Sequence, residues 1–257
     1  QLGDLMHTQV ITAQTDDDQE AVTKLFRKYG LAALPIVDAE GYLRGIVTHD
    51  DILEVLEEEL EEDLYRFAGT SDPGDTPRHL AVMAWLRLPV VLACLVGDVS
   101  AGHAVLRYQS ELVNLAALAT FLPALMATGG NIGQQSLARL LREIASGSRV
   151  TPTLRHAVLH ESAVGLMMGA VSGLTLGALS YLWLGKLELA LLLAVALTLT
   201  SIVAAVLGAA VPLALERLGR DPAIASGPLI TTLNDIISTT VYFMLAVGMI
   251  RYLGLGL

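Results

Sequence analysis

Residues 189–215 have the sequence LALLLAVALTLTSIVAAVLGAAVPLAL, a run of 27 residues that contains no charged side chain. A run of about 18 or more apolar residues is long enough to cross the hydrocarbon core of a bilayer as a helix. Four further apolar runs lie at residues 88–106, 112–128, 163–184 and 229–253. The sequence therefore predicts a multi-pass α-helical membrane protein, with five transmembrane helices in a domain of residues 88–257 that is surrounded by membrane lipid.

The residues before position 88 have the composition of a soluble domain, although 53% of all 257 residues are hydrophobic and the mean hydropathy is +0.57. The net charge is −10, with the excess concentrated at residues 50–63. Nucleic acid is excluded as a partner, because binding it requires a basic surface. The acidic cluster favours cations, and the alternative is a solvated helix face. Cys94 is the single cysteine, which excludes an intramolecular disulfide.

Residues 1–62 alternate strand and helix signals and predict a small α/β domain at the N-terminal end. Strands are expected at residues 10–12, 34–38 and 43–47, and a first helix is expected to be capped within residues 16–18. A second helix should begin near His49. Residues 63–87 are expected to connect this domain to the membrane, with a Gly/Pro-rich hinge at residues 69–77.

The stretch ALPIVDAEGYLRGIVTHDDIL at residues 33–53 resembles one cystathionine-β-synthase-type (CBS) repeat. Such repeats work in pairs as adenine-nucleotide or ion sensors. The resemblance therefore implies a first repeat that is missing, lost by truncation or supplied by a second subunit. It also implies that Thr48 and Asp51 hold the ribose of a nucleotide such as ATP. The alternative is that Thr48 caps the helix that follows it.

Seven acidic side chains between Glu54 and Asp63 continue this second helix. Like charges three and four residues apart destabilise a helix by a few tenths of a kcal/mol per pair. A divalent cation would relieve the repulsion through oxygen ligands. The pattern therefore suggests a helix that is ordered when metal is bound.

A second acidic feature is the carboxylate of Asp235, within GPLITTLNDIIS at residues 227–238 of the last span. A charge at this depth costs several kcal/mol unless it faces a wet cavity or a cation. Thr231 and Asn234 make the same region polar, and Pro228 is expected to loosen a turn and free carbonyl oxygens. The spans hold no obvious basic partner for Asp235. We therefore predict an ion site at Asp235.

The second span ends in FLPALMATGGNIGQQS at residues 121–136. Pro123 and the three glycines predict a broken helix whose backbone lines a cavity. The polar side chains of Asn131, Gln134, Gln135 and Ser136 are expected to line a pore. Capping and loop formation remain the alternative for these four residues.

Two stretches, PALMATGGNIGQQS at residues 123–136 and DPAIASGPLITTLND at residues 221–235, resemble the MgtE family of magnesium channels. The order of CBS repeat, acidic connecting helix and five spans is also similar to that family. The resemblance implies a homodimer with one pore on the two-fold axis. It implies that hydrated Mg²⁺ is held by Asp235 and by backbone carbonyls at Thr231 and Ala127, with Asn131 close by.

The resemblance further implies that cytosolic Mg²⁺ closes the pore. The regulatory ligands that match the family are Asp51, Glu54, Glu59, Glu62 and Asp63. Two departures bear on this expectation: the N-terminal domain and first CBS repeat of the family are absent from this sequence, and the hinge at residues 69–77 interrupts the expected connecting ("plug") helix.

The basic residues indicate the orientation. With the N-terminal domain in the cytoplasm, the inner segments hold eight arginines and the outer segments hold three basic residues, in agreement with the positive-inside rule. The N-terminus is therefore expected in the cytoplasm and the C-terminus outside the cell membrane.

The same residues also bear on other classes of protein. A membrane metalloprotease is excluded because Val164 follows His160-Glu161 where a second histidine is required, and no enzyme activity is expected. A proton-coupled secondary transporter of divalent cations that uses Asp235, and a nucleotide-sensing membrane protein, remain as alternatives. The role of Asp98 stays open between an outer vestibule and a pairing with another helix.

Overall fold

The structure is a computed structural model that describes residues 10–70, 80–106, 116–145, 153–225 and 227–253. The chain divides into two units, Gln1–Leu64 and Tyr65–Leu257. The expected mixture of a small α/β region and a larger helical membrane region is confirmed.

The first unit contains a three-stranded sheet. Its elements are β1 (Ala13–Gln14), α1 (Gln19–Tyr29), β2 (Ala33–Val37) and β3 (Leu43–Thr48), with the strand order β1-β2-β3. Strand β1 runs parallel to β2, and β3 runs antiparallel to β2. The core beneath the sheet is formed by Ala13, Val22, Phe26, Leu34 and Ile52.

A capping residue fixes where α1 begins, whereas pairing with β2 fixes the position of the first strand. Asp18 caps α1 by accepting a hydrogen bond from the backbone N–H of Glu20 at 2.9 Å, as the sequence predicts. The expected strand at residues 10–12 is wrong, because the pairing with Ile36 and Val37 falls on Ala13 and Gln14 instead. Helix α2 (His49–Phe67) begins where the sequence predicts. Most of the predicted hinge lies outside the described residues.

Among the residues that the structure describes, the second unit contains five long helices. They are α3 (Leu80–Leu106), α4 (Ala116–Ala145), α5 (Leu154–Leu184), α6 (Leu187–Arg217) and α7 (Gly227–Leu253), with a 3₁₀ turn at Pro222–Ile224. Each predicted span overlaps one of them. Among the described residues, four stretches are long and apolar enough to cross a membrane: Leu80–His103, Leu154–Leu184, Leu187–Arg217 and Gly227–Met249. Helix α4 is not one of these four, and its second half carries amides and arginines.

Helix α6 is the central element of this unit. It packs against α5, α4 and α7, while α3 packs against α7. The main apolar cluster joins α4, α6 and α7 through side chains such as Leu125, Leu193 and Phe243. The hydroxyl of Tyr242 in α7 donates to the carbonyl oxygen of Leu118 in α4 at 3.0 Å. The helices that carry the predicted ion site are therefore anchored to a buried scaffold.

Two expectations about the backbone are wrong. Helix α4 is continuous through Pro123 and its glycines, because those glycines serve as contact points for neighbouring helices rather than as breaks. Pro228 is the second residue of α7, where its missing N–H would have no helical partner in any case. It therefore frees no carbonyl oxygen inside the span.

Candidate functional site

The Gly129-Gly130 pair lets α7 approach α4 closely. A methyl group on Gly129 would lie 2.7 Å from Nδ2 of Asn234, and one on Gly130 would lie 2.9 Å from Cγ2 of Thr231. Both distances are too short for a real side chain at these two positions. The glycines therefore bring two polar side chains of α7 directly onto the backbone of α4.

Hydrogen bonds fix this crossing. Nε2 of Gln134 donates to Oγ1 of Thr231 at 2.8 Å, and Nδ2 of Asn234 donates to the carbonyl oxygen of Met126 at 3.4 Å. Oγ of Ser238 donates to Oδ1 of Asn234 at 3.0 Å. Asn234 is fully buried. A buried amide that is bonded on both sides holds its position firmly, so the residue beside it is also well placed.

Asp235, the residue beside Asn234, carries the strongest signal for a ligand. Its Oδ1 atom is fully buried and has no hydrogen-bond partner among the residues that the structure describes. A buried carboxylate oxygen without a donor or a cation is strongly unfavourable. The atom is therefore suited to accept a cation or a water molecule bound to one.

Ala127 and Asn131 lie on a stripe of α4 that is exposed in the single chain, together with Pro123 and Gln135. The buried side of α4 contacts Thr231 through Gly130 and Asn234 through Gly129. Ala127 and Thr231 belong to continuous helices, where a carbonyl oxygen accepts one helical hydrogen bond and keeps a second lone pair. Such oxygens suit contact with the water shell of an ion better than direct ligation.

Asp98 of α3 belongs to the same neighbourhood. Gly97 packs tightly against Thr232, and a methyl group on it would lie 3.7 Å from Cδ1 of Ile236. Asp98 is exposed in the single chain and close enough to Asp235 for the two charges to interact. Neither of the two roles predicted for Asp98 included this proximity.

In the first unit, Thr48 and Asp51 bind each other. Oδ2 of Asp51 accepts the backbone N–H of Thr48 at 2.6 Å and its hydroxyl at 2.7 Å. These two hydrogen bonds, the backbone one foremost, lower the pKa of the Asp51 carboxyl from its usual value. The carboxylate of Asp51, rather than the hydroxyl oxygen of Thr48, therefore caps the start of α2.

The predicted regulatory carboxylates are spread along α2. Asp51, Glu54 and Asp63 are exposed, while Glu59 and Glu62 are half-buried. Oε1 of Glu59 accepts a hydrogen bond from Nε2 of Gln19 at 2.7 Å. In the described part of the chain, no three His, Cys, Asp or Glu side chains form a group that could hold a metal ion. Among the described residues of the single chain, the carboxylates of α2 therefore do not cluster into a metal site.

Sequence reasoning missed two ion pairs. Arg66, near the end of α2, pairs with Asp221 in the segment before α7. Arg139 of α4 pairs with Glu161 of α5. Only the position of Glu161 at the start of an apolar span gave a signal, and it did not identify the arginine.

Comparison with known proteins places both parts of the chain. Residues 122–245 match the family model MgtE, described as a divalent cation transporter, and residues 2–58 match the CBS domain. The predicted site residues Ala127, Asn131, Thr231 and Asp235 all lie inside the first match.

Three relatives carry the name magnesium transporter MgtE. The chain is 36% identical over 250 residues to that of Bacillus subtilis, 34% over 251 residues to that of Enterococcus faecalis and 34% over 252 residues to that of Thermus thermophilus. The alignments cover 97%, 98% and 95% of this chain and 55% of each relative, so the chain spans about half the length of the relatives it matches. With both family models and these alignments in agreement, the chain carries the MgtE family domain at residues 122–245 and a CBS domain at residues 2–58.

Proposed function

We propose that this chain transports Mg²⁺ across a membrane, as a channel that passes the hydrated ion and catalyses no chemical reaction. The observation that carries the proposal is the Asp235 carboxylate, whose buried Oδ1 has no partner among the described residues. It lies on an apolar span beside a polar crossing of α4 and α7. The match of residues 122–245 to a family model of divalent cation transporters supports the choice of ion.

The exposed stripe of α4 supports a pore shared by two copies of the chain. Asn131 and Ala127 are uncovered in the single chain, and a polar side chain on a membrane helix is stable when it faces water or protein rather than lipid. A two-fold axis along this stripe would bring two Asp235 carboxylates to one pathway. Mg²⁺ loses its waters reluctantly, so carboxylate and carbonyl oxygens around a hydrated ion are a suitable lining.

A second candidate function is proton-coupled transport of a divalent cation. The electrostatic interaction between Asp98 and Asp235 favours it, because a second carboxylate in the neighbourhood of Asp235 is a further group that could accept a proton. The channel remains the first choice, since it needs only the arrangement at Asp235.

Regulation by cytosolic Mg²⁺ and nucleotide is the finer part of the proposal. Asp51, Glu54, Glu59, Glu62 and Asp63 would bind Mg²⁺ on the cytoplasmic side and close the pore, since bound metal relieves their mutual repulsion. ATP binding would require the Thr48–Asp51 pair to open. The arginine distribution supports a cytoplasmic N-terminal domain and an extracytoplasmic C-terminus in the cell membrane.

Replacement of Asp235 tests the proposal. The Asp235→Asn variant, reconstituted in liposomes that contain a Mg²⁺-sensitive dye, should lose Mg²⁺ uptake on the order of 100-fold, because the amide keeps the shape and loses the charge. Thr240→Val is the matched control, since within the described part of the chain its hydroxyl donates to the Ile236 carbonyl of its own helix, at 2.8 Å.

Unchanged uptake by the Asp235→Asn variant would refute the pore assignment. In the same liposomes, uptake that stops when a proton gradient is collapsed would select the coupled transporter. Uptake that is insensitive to internal Mg²⁺ would remove the regulatory part and leave conduction intact.

A further inference from the structure

Glu161 is a buried charge that conduction does not use. It lies in the second turn of α5, and 3% of its surface is exposed. A buried carboxylate is strongly unfavourable unless it is paired and hydrogen-bonded. The contacts that satisfy it therefore show what holds this part of the molecule together.

Two of its partners come from one face of α4. Oγ of Ser136 donates to Oε2 of Glu161 at 2.7 Å, and the guanidinium of Arg139 donates to Oε1. Nδ1 of His160 lies 3.3 Å from the same Oε1 and 3.0 Å from Arg139. Nη2 of Arg139 also reaches Glu143 at 3.5 Å. The network thus ties α4 to the start of α5.

This link is important because α4 makes most of its other contacts with α6 and α7 rather than with α5. Leu125 packs against α6 nearer the start of α4, but close to Ser136 the contact with α6 runs through Gly133, whose carbonyl oxygen lies against Gly208. A glycine has no side chain that interlocks with the facing helix, so this contact fixes the distance between α4 and α6 but resists rotation of α4 about its own axis less. Two directional hydrogen bonds to a fixed carboxylate constrain it strongly.

We propose that Glu161 is a positioning residue of the ion pathway: through Ser136 and Arg139 it sets the rotation of α4 about its axis. Ser136 lies on the buried face of α4, whereas Ala127 and Asn131 lie on the exposed stripe. Successive helical residues are about 100° apart, so a rotation of α4 by some tens of degrees moves Asn131 away from the exposed stripe and turns the buried Ile132 towards it. This inference rests on the proposed function for the meaning of the stripe.

The test measures rotation directly, in the full-length reconstituted protein with the lone Cys94 replaced by alanine. Single cysteines at Asn131 and at Ile132 are labelled with a charged, water-soluble thiol reagent. Asn131→Cys should react and Ile132→Cys should be protected, since Ile132 is 3% exposed. Adding Glu161→Gln should raise the labelling rate at position 132 and lower it at position 131, by about three- to tenfold each.

Mg²⁺ uptake gives a second readout. Glu161→Gln should raise the apparent KM for Mg²⁺ by about three- to tenfold with a smaller change in the maximal rate, because Asp235 itself is intact. Glu161→Asp, which keeps the charge, should restore both labelling and KM in part. Glu216→Gln, a half-buried glutamate at the end of α6, is the matched control and should change neither.

A lower melting temperature with an unaltered labelling pattern and KM would show a merely structural role and overturn the proposal. If Glu161→Gln does not fold, Ser136→Ala removes one of the two α4 contacts, and its labelling pattern decides in the same way. Labelling is read without transport. Normal uptake by Asp235→Asn would refute the proposed function. An unaltered labelling pattern in Glu161→Gln would refute the present inference, so the two failures are distinguishable.

Discussion

The α5–α6 pair and the α4–α7 pair both use glycine to bring two helices together, but different groups fill the two contacts. Along α5, glycines at four-residue spacing face mainly the backbone of α6; they are Gly165, Gly169, Gly173 and Gly177. A methyl group on Gly169 would lie 2.9 Å from the carbonyl oxygen of Thr198. In the α4–α7 pair, Gly129 and Gly130 face the side chains of Asn234 and Thr231 instead.

The difference separates a scaffold from a site. Backbone packed against backbone resists displacement, and the hydroxyl of Thr198 within this contact donates to backbone carbonyl oxygens of the same two helices. A glycine that faces an asparagine or threonine side chain places hydrogen-bonding groups at the helix crossing, where they can hold a neighbouring carboxylate. The same small residues therefore stabilise one pair of helices and position the ion site in the other.

The largest loss of stability, and the strongest test of this difference between the two helix pairs, is expected at Gly173. A methyl group there would overlap the carbonyl oxygen of Ala194 and lie 2.9 Å from Oγ1 of Thr198. Gly173→Ala should therefore lower the free energy of unfolding by about 1–3 kcal/mol, seen as a lower melting temperature in detergent.

Gly102→Ala, in α3, is the control for Gly173→Ala, because no atom of the described residues lies within 4 Å of its methyl position. Equal melting temperatures for the two variants would show that the α5–α6 contact is not the rigid one.

Much of the helical fold followed from the sequence, because the length of an apolar run reports the thickness of the bilayer. The ends of α3 show the limit of that signal. Its predicted span begins at residue 88, yet the helix begins at Leu80, since the apolar residues 80–86 before the predicted span are also helical. In α4, hydropathy and glycine content predicted a break, whereas neighbouring helices keep the segment helical.

The site was predictable only in part, for a related reason. Asp235, Asn131 and the Gly129-Gly130 pair stand out as polar or small residues in apolar runs. The pairing of Arg139 with Glu161 joins different helices, and local sequence carries no information about which helices meet. The closeness of Asp98 to Asp235 was missed on the same ground.

A smaller effect on stability, and a larger one on transport, is expected at Gly129. Gly129→Ala would press on the Asn234 amide, which can shift by a few tenths of an ångström but would carry Asp235 with it. We expect Mg²⁺ uptake to fall about tenfold, with less loss of melting temperature than Gly173→Ala causes. Gly248→Ala, on α7 with open space at its methyl position among the described residues, should leave uptake unchanged.

The smallest effects come from two hydroxyl groups, one in each helix pair. Oγ1 of Thr198 donates to the carbonyl oxygens of Ala194 at 2.7 Å and Gly169 at 3.1 Å, so Thr198→Val should reduce stability by about 1 kcal/mol and leave uptake unchanged. Ser238→Ala removes the donor that steadies Oδ1 of Asn234 and should lower uptake about threefold at a similar cost in stability. Parallel melting and liposome measurements on the two variants decide the matter. A reduced uptake for Thr198→Val, with none for Ser238→Ala, would reverse the assignment of scaffold and site.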